Sequence, residues 1–291
     1  MGSYPRDYST PPGSPSRLTP VTKWLLGINI LISVLDFVIL PEVLRLDTKV
    51  RGYLPPLEAW GAFNVESTFR EGRFWELVTF QFLHDSLGHI VFNSIGLFVF
   101  GPWLERWWGK ARFLGFYLLC GMAGALFFTV LGAAHVLPHG AEGGLVGASA
   151  GIYGILAGLA VVAPNLRAQL IFPPVELSIR QLALLVLALA TVIILLRIGG
   201  NEGGEAGHLG GAILGFVLTR YPFLLGKKEG AALRPVRTAR SKGEAKLRPR
   251  TSVDLHTSNE IDRILDKINR DGLQSLTDEE RDTLRNASNK S

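Results

Sequence analysis

The chain has 291 residues, of which 47% are hydrophobic and 33 are glycine, and its mean hydropathy is positive at +0.25. This composition argues against a soluble protein and favours an integral membrane protein, in which glycine lets helices pack closely. The net charge of +5 lies mostly in a short segment after the last apolar run, so it favours contact with anionic lipid and argues against nucleic acid binding.

Six apolar segments follow a leader, residues 1–20, whose five prolines among serines and glycines predict disorder rather than a cleaved signal peptide. Each segment can form the helix of about 20 residues that crosses a bilayer about 30 Å thick. The segments run over residues 21–40, 77–104, 111–137, 144–163, 179–196 and 206–225. We therefore predict an all-α polytopic membrane protein with a six-helix domain over residues 21–225.

Residues after this domain predict a different module. A basic, proline-containing linker, residues 226–256, is expected to lie along anionic headgroups. A helix is predicted over residues 258–270, where aliphatic residues share one face. A second helix is predicted to begin at Thr277, whose hydroxyl forms a capping box with Glu280. Residues 257–291 thus predict a small helical hairpin that docks a protein partner or the membrane surface, with a solvated tail as the alternative.

Basic residues in short loops predict the orientation in the membrane. The connection between the second and third segments carries Arg106, Lys110 and Arg112, and nine Lys and Arg residues lie between Lys227 and Arg250. The long loop over residues 41–73 also holds basic residues, but acidic residues accompany them. Both termini are therefore expected to be cytoplasmic, in a multi-pass protein of the cell (inner) membrane. The second, fourth and sixth helices would then all enter from the outer side.

One serine stands out in this core. Ser149 lies in the run Gly-Ala-Ser-Ala-Gly of residues 147–151, before an uncharged apolar stretch over residues 152–163. Serine is a weak nucleophile that needs a base within hydrogen-bond reach. His208 is the candidate base, because a titratable side chain inside a membrane is costly enough to indicate function.

Glycine spacing predicts how the serine and the histidine meet. Gly211 and Gly215 are four residues apart and place a smooth strip on one face of the sixth helix. Gly147 and Gly151 form a matching strip around the serine. Two such strips facing each other would bring the serine hydroxyl and the imidazole within hydrogen-bond reach.

The second apolar segment supplies hydrogen-bond donors. His89 and Asn93 are four residues apart, so they share one helix face. Together with the backbone N–H of Ser149 they would form an oxyanion hole for a tetrahedral intermediate. Tyr153, one turn after the serine, is expected to pack against the imidazole of His208 and to hold its orientation.

These motifs, in this order and on these helices, resemble the rhomboid family of intramembrane serine proteases. The family pattern is His-x-x-x-Asn, then Gly-x-Ser, then His-x-x-Gly-x-x-x-Gly. It is matched here by His89 with Asn93, Gly147 with Ser149, and His208 with Gly211 and Gly215. The resemblance covers roughly residues 21–225. It implies a six-helix rhomboid-like core with a cavity open to the outer face, a Ser/His dyad without a third acid, and single-span membrane proteins as substrates.

Two positions depart from the family pattern. The family usually has glycine directly after the serine, and this chain has Ala150 there, with Gly151 following. The first loop often carries a Trp-Arg pair, and here the pair is Trp75-Glu76. No cofactor or metal is expected.

The same residues allow three other functions. A metal site at His84, His89 and His208 is disfavoured, because no Asp, Glu or Cys joins them at ligand spacing. His84 is instead expected to be structural. A transporter with Asn29, Asp36 and His208 as a polar path would predict an inverted repeat of hydropathy, which the chain does not display. A catalytically silent relative that only binds membrane helices stays open as the alternative to a protease.

Overall fold

The computed structural model describes residues 18–50, 52–137, 143–169, 174–225, 263–264, 266–267 and 273–288. The chain forms two compact units, Met1–Val236 and Arg237–Ser291. The linker predicted over residues 226–256 lies outside the described residues, as does the predicted leader except for its last three residues.

Loops and one small hairpin connect the helices that form the described part of the first unit. Its helices are α1 Pro20–Val34, α2 Leu40–Val43, α3 Pro56–Gly61, α4 Val65–Phe69, α5 Glu76–Thr79, α6 Leu87–Trp108, α7 Lys110–Ala133, α8 Ser149–Val162, α9 Ile179–Leu196 and α10 Glu202–Arg220. A π-helical turn, Leu35–Ile39, joins α1 to α2. Between α8 and α9, strands β1 Arg167–Gln169 and β2 Glu176–Ser178 pair antiparallel, with Ala168 opposite Leu177.

Four helical stretches of the described residues are long and apolar enough to cross a membrane. They are Pro20–Val43, Leu87–Trp108, Lys110–Ala133 and Ile179–Leu196. Helix α8 is apolar but has only 14 residues, and α10 begins with two glutamates and two glycines. Helices are therefore present at all six predicted segments, and four of them meet the length and hydropathy of a membrane span.

The second and fourth predicted segments begin too early. Helix α6 begins at Leu87 rather than at residue 77, because the Ser86 hydroxyl caps it by accepting from the His89 N–H at 3.2 Å. Residues 76–82 instead form α5 and a short 3-10 turn. Helix α8 begins at Ser149 rather than at residue 144, since Gly147 has a φ of +118° that no helix contains.

Smaller differences affect the third and sixth segments. Helix α7 ends at Ala133, four residues before the predicted end, and α10 begins at Glu202, four residues before the predicted start. Glutamates at a helix N-terminus interact favourably with the helix dipole. Glu202 and Glu205 thus belong to the first turn of α10. The hydropathy pattern missed this turn because both residues are polar.

Helices α8 and α10 lie at the centre of the bundle, with α7 packed against both. Fully buried side chains fill the space around them, among them Leu97, Phe116, Tyr117, Ile155 and Leu159. Helix α9 instead exposes a row of leucines on its outer side. An apolar surface on a helix of this length is the surface that lipid covers in a membrane protein.

The long first loop is fixed to the segment that precedes α8. Phe63 is fully buried and exchanges two backbone hydrogen bonds with Leu145, at 3.0 and 2.8 Å. The loop is also fixed to the π-helical turn before it, because the Asp36 carboxylate accepts from the N–H groups of Leu57 and Glu58 in the first turn of α3. Asp36 therefore has a structural partner, which weakens its place in a transport path.

The second unit confirms the predicted capping box. The Glu280 N–H donates to the Thr277 hydroxyl at 3.3 Å, and the Thr277 N–H donates to the Glu280 carboxylate at 2.9 Å. The helix that follows is Asp278–Ser288. Residues 263–264 and 266–267 are helical, and Lys267 forms an ion pair with Glu280 at 2.8 Å. The rest of the helix predicted over residues 258–270 lies outside the described residues.

Candidate active site

Ser149 is the first residue of α8. Ala148, directly before it, already has helical φ and ψ, and the Gly147 N–H donates to the Phe80 carbonyl at 2.9 Å. The first N–H groups of a helix have no partner within the helix, and they carry the positive end of its dipole. The Ser149 hydroxyl therefore lies beside backbone donors that can bind an anion.

Close packing of α8 and α10 brings the serine to the histidine. A Cβ atom added to Gly211 would lie 2.1 Å from the Ala150 carbonyl oxygen, and one added to Gly215 would lie 2.4 Å from the Gly154 oxygen. Only glycine permits this approach. The predicted strip on α10 is thus the contact face.

The predicted partner strip on α8 was wrong. Ala150 and Gly154, not Gly147 and Gly151, face α10. A Cβ on Gly151 would instead contact the Tyr117 ring of α7 at 2.6 Å, and one on Gly147 would lie 2.5 Å from His89 Nε2. The reason is that Gly147 precedes the helix, so the helical four-residue period does not extend to it.

His208 is held on three sides. Its Nε2 lies 2.8 Å from Ser149 Oγ. Its ring stacks on Tyr153, with ring centroids 4.1 Å apart and planes 9° apart, as the sequence predicted. Its Nδ1 lies 2.9 Å from Glu205 Oε2. The tautomer that satisfies both nitrogens donates Nδ1–H to Glu205 and accepts the serine proton at Nε2.

His89 and Asn93 converge on the same place from α6. A Cβ built on Gly147 would lie 2.5 Å from His89 Nε2 and 3.3 Å from Asn93 Nδ2. Asn93 is 7% exposed, and its Nδ2 has no hydrogen-bond partner among the described residues. A buried donor without a partner is costly unless a ligand or water uses it. All four predicted polar residues therefore surround one point.

A cavity of about 680 Å³ opens beside Ser149 between α6, α8 and α9. His89, Asn93, Tyr153 and His208 line its polar end. The remaining lining comes from apolar side chains of α6, α8 and α9 and from Ala168 and Gln169 of β1. The arrangement is a largely apolar groove whose lining includes a serine hydroxyl, an imidazole and hydrogen-bond donors.

Two carboxylates of this site were not predicted. Glu205 lies on Nδ1 of His208, and Asp85 lies on Nδ1 of His89 at 3.0 Å. The spacing of each acid, three residues before one histidine and four before the other, was the signal available in the sequence. The predicted segments 77–104 and 206–225 placed Asp85 inside a membrane helix and Glu205 just before another. Neither acid was therefore recognised as a neighbour of a histidine.

The unusual first-loop pair is explained by burial. Glu76 is 1% exposed, accepts from the hydroxyls of Ser67 and Thr68 at 2.6 Å, and forms an ion pair with Arg73 at 3.1 Å. The Arg73 guanidinium lies 5.5 Å from the centre of the Trp75 ring. An arginine two residues before the tryptophan thus contacts both members of the Trp-Glu pair.

His84 is buried and packs edge-on against His89, with ring centroids 5.1 Å apart. Burial and the neighbouring His89 lower the pKa of His84 to about 4, so the ring is neutral at pH 7. The described residues contain no group of three or more His, Cys, Asp or Glu side chains arranged to hold a metal ion.

The family model of the Rhomboid domain matches residues 71–224, just over half of the chain. The chain belongs to the rhomboid family. Its rhomboid domain includes all the site residues described above, and with four apolar helices of sufficient length the chain is an integral membrane protein. A separate match, to a family of unknown function named DUF6576, covers residues 255–290.

Several curated relatives are named as proteases. The chain is 29% identical over 160 residues to rhomboid protease GluP of Bacillus subtilis, covering 55% of this chain and 28% of that protein. It is 27% identical over 172 residues to rhomboid protease AarA of Providencia stuartii, covering 54% and 58%. It is 26% identical over 199 residues to rhomboid-like protease 1 of Toxoplasma gondii, covering 66% and 62%. The matched part is thus less than two thirds of each relative.

Proposed function

We propose that this rhomboid is an intramembrane serine endopeptidase that cleaves transmembrane segments of membrane proteins. The observation that carries the proposal is the 2.8 Å contact between Ser149 Oγ and His208 Nε2. A serine and a histidine at this distance, beside free donors, form the unit that acyl transfer requires.

In the proposed reaction, Ser149 Oγ attacks the scissile carbonyl carbon while His208 Nε2 takes the hydroxyl proton. The tetrahedral intermediate collapses when His208 returns this proton to the leaving nitrogen and the C–N bond breaks. Water then attacks the Ser149 ester, giving one proton to His208 and releasing the carboxyl product. The returned proton regenerates the serine hydroxyl.

The proposed oxyanion hole consists of His89, Asn93 and the Ser149 N–H. Asn93 Nδ2 supports this role most directly, because it is buried and has no partner among the described residues. The Nδ1 of His89 lies on Asp85. When His89 donates its Nδ1–H to the Asp85 carboxylate, its Nε2 can donate to the oxyanion only in the form of the ring that carries both protons. Donors fixed before the reaction stabilise the developing charge without reorganisation.

Single-span membrane proteins are the proposed substrates, and the groove of about 680 Å³ supports this class. Its apolar walls suit an apolar segment, and its polar end suits an unwound stretch of backbone. A hydrogen-bonded helix hides its carbonyls, so the substrate must unwind near the serine. No cofactor takes part in the proposed reaction.

The test uses the full-length protein in proteoliposomes with a model substrate, a single transmembrane helix with glycines near its outer end and a fluorescent reporter. We expect cleavage by the wild type and a loss of at least 100-fold in Ser149→Ala and in His208→Ala. Cleavage that persists in Ser149→Ala would overturn the proposal.

The competing function is a silent rhomboid that binds membrane helices without cleaving them. A fluorophosphonate probe separates the two, because it labels only an activated serine. Labelling at Ser149 that requires His208 supports the protease. An unlabelled wild type that binds the model substrate without cleaving it supports the silent binder.

The remaining proposals concern organisation. We propose a leader at residues 1–20, a six-helix rhomboid domain at 21–225, a basic linker at 226–256 along anionic headgroups, and a helical hairpin at 257–291 that docks a protein partner. Both termini are proposed to be cytoplasmic, in the cell (inner) membrane. Helix α8 would cross the core with 14 residues because protein, not lipid, surrounds it.

A further inference from the structure

We propose that Glu205 is a positioning residue that converts the Ser/His pair into a Ser-His-Glu triad. The inference rests on the proposed protease function and departs from the dyad without an acid that the family resemblance implied. Glu205 Oε2 lies 2.9 Å from His208 Nδ1, and His208 Nε2 lies 2.8 Å from Ser149 Oγ. Carboxylate, imidazole and hydroxyl therefore form one continuous hydrogen-bonded chain.

The local sequence makes this contact possible. Glu205 and His208 are three residues apart on α10, so their side chains leave the same helix face. Two glycines precede the glutamate and one precedes the histidine, so no bulky neighbour separates the carboxylate from the ring. Both side chains are 14% exposed, and a charge contact at this burial is screened less than one at the surface.

The carboxylate supplies two effects that Tyr153 cannot. Accepting Nδ1–H fixes the tautomer in which Nε2 is free to take the serine proton. When His208 holds that proton, its ring is a cation, and the adjacent negative charge stabilises it. Glu205 takes up no proton in any step, so the proton balance of the reaction is unchanged.

A helix-stabilising role is the simpler explanation of an acid at this position, because acids in the first turn stabilise any helix. Glu202 lies in the same first turn of α10 and is itself buried. It therefore provides a matched control that removes an equal charge from the same helix end.

The experiment compares Glu205→Gln, Glu205→Asp and Glu202→Gln as full-length proteins in proteoliposomes, with the fluorescent transmembrane substrate and the fluorophosphonate probe. We expect Glu205→Gln to lower kcat about 10- to 100-fold with KM unchanged, and to slow labelling of Ser149 equally. Glutamine keeps the shape and the acceptor oxygen but loses the charge. Glu202→Gln is expected to keep kcat within about twofold.

The order of the two Glu205 variants separates electrostatics from packing. Aspartate keeps the charge on a shorter side chain, so a positioning carboxylate predicts more activity in Glu205→Asp than in Glu205→Gln. Equal or greater activity in Glu205→Gln would overturn the triad. A Glu205→Gln variant with a raised KM and an unchanged kcat would also overturn it. So would a decrease in kcat in Glu202→Gln equal to that in Glu205→Gln. A wild type that neither cleaves the substrate nor reacts with the probe would overturn the proposed protease function. The outcomes that overturn the triad are measured in an active enzyme, so they leave the protease function standing.

Discussion

Gly147 occupies a position where both the backbone conformation and the neighbouring side chains favour glycine. Its φ of +118° is rare for residues with a side chain, and a Cβ there would lie 2.5 Å from His89 Nε2. We expect Gly147→Ala to lower kcat by at least about 100-fold, because the methyl group would occupy the space of the proposed oxyanion hole. Cleavage of the transmembrane model substrate measures this effect.

The control is Gly143→Ala in the same segment, where an added Cβ meets nothing within 4 Å. We expect this variant to retain wild-type kcat. Wild-type activity in Gly147→Ala would show that the oxyanion lies elsewhere.

Asp85 contacts His89, the second histidine of the candidate site. Its carboxylate lies 3.0 Å from His89 Nδ1 but is 59% exposed, so solvent screens part of the contact. We expect Asp85→Asn to lower kcat about 10-fold, less than the loss of a direct donor. Asp47→Asn, in an exposed loop, serves as the control, and an equal loss in both variants would contradict a specific role.

Helix packing determines the distance between the side chains of Ser149 and His208. A Cβ on Gly211 would lie 2.1 Å from the Ala150 carbonyl oxygen, so Gly211→Ala must separate α8 from α10. We expect a loss of stability of about 2 kcal/mol or more, together with loss of cleavage. Thermal unfolding in detergent micelles and the cleavage assay measure the two effects.

Gly115→Ala on α7 is the matched control for that substitution. An added Cβ there meets nothing within 4 Å. Since alanine favours helix by about 1 kcal/mol over glycine, this variant is expected to be as stable as the wild type or slightly more stable. A stable, active Gly211→Ala would contradict the close contact.

The same packing explains Ala150, which departs from the family pattern. Its methyl group is buried, and a Cβ on Gly124 of α7 would lie 2.7 Å from it. Gly124 therefore leaves the space that the extra methyl group occupies. The sequence displayed the departure, but the compensating glycine is 26 positions away and only the packing of α7 on α8 connects them.

Glu58 in the first loop makes a pH-dependent contribution to stability. Burial and the charges of Asp36 and Asp85 raise the pKa of Glu58 from its ordinary 4.5 to about 7. Between pH 4.5 and about 7, Glu58 is protonated in the folded protein and ionised in the unfolded chain. The contribution to stability is therefore full below pH 4.5 and is lost as the pH rises to 7.

Glu58→Gln should remove this dependence. We expect the variant to match the wild type at pH 4.5 and to exceed its stability at pH 8 by about 1 to 2 kcal/mol after solvent screening. Hydrogen exchange of the loop amides at both pH values measures the difference. A variant less stable than the wild type at pH 8 would contradict the raised pKa.

For the whole molecule, the proposed six crossings predict that both ends of the chain lie on one side of the membrane. Reporter domains fused to Met1 and to Ser291 should be protected from external protease in intact cells and become accessible after permeabilisation. Accessibility of one reporter alone would require an odd number of crossings. A fusion within the loop over residues 41–73 is the control, because the topology places it outside.

The sequence by itself determined the membrane class, the presence of helices at six segments and the four polar residues that the structure brings together in the candidate site. Each of these depends on local composition or on a helical period of three or four residues, which a single chain displays directly. The Thr277–Glu280 capping box was predictable for the same reason.

Only the tertiary structure decided where α6 and α8 begin, which residues of α8 face α10, and which acids reach the histidines. A helix start depends on caps such as Ser86, and a facing residue depends on the rotation of one helix against two others. The sequence shows Glu205 three residues before His208. Its position on Nδ1 became evident only when the packing of α8 on α10 directed Nε2 to Ser149 and left Nδ1 for the acid.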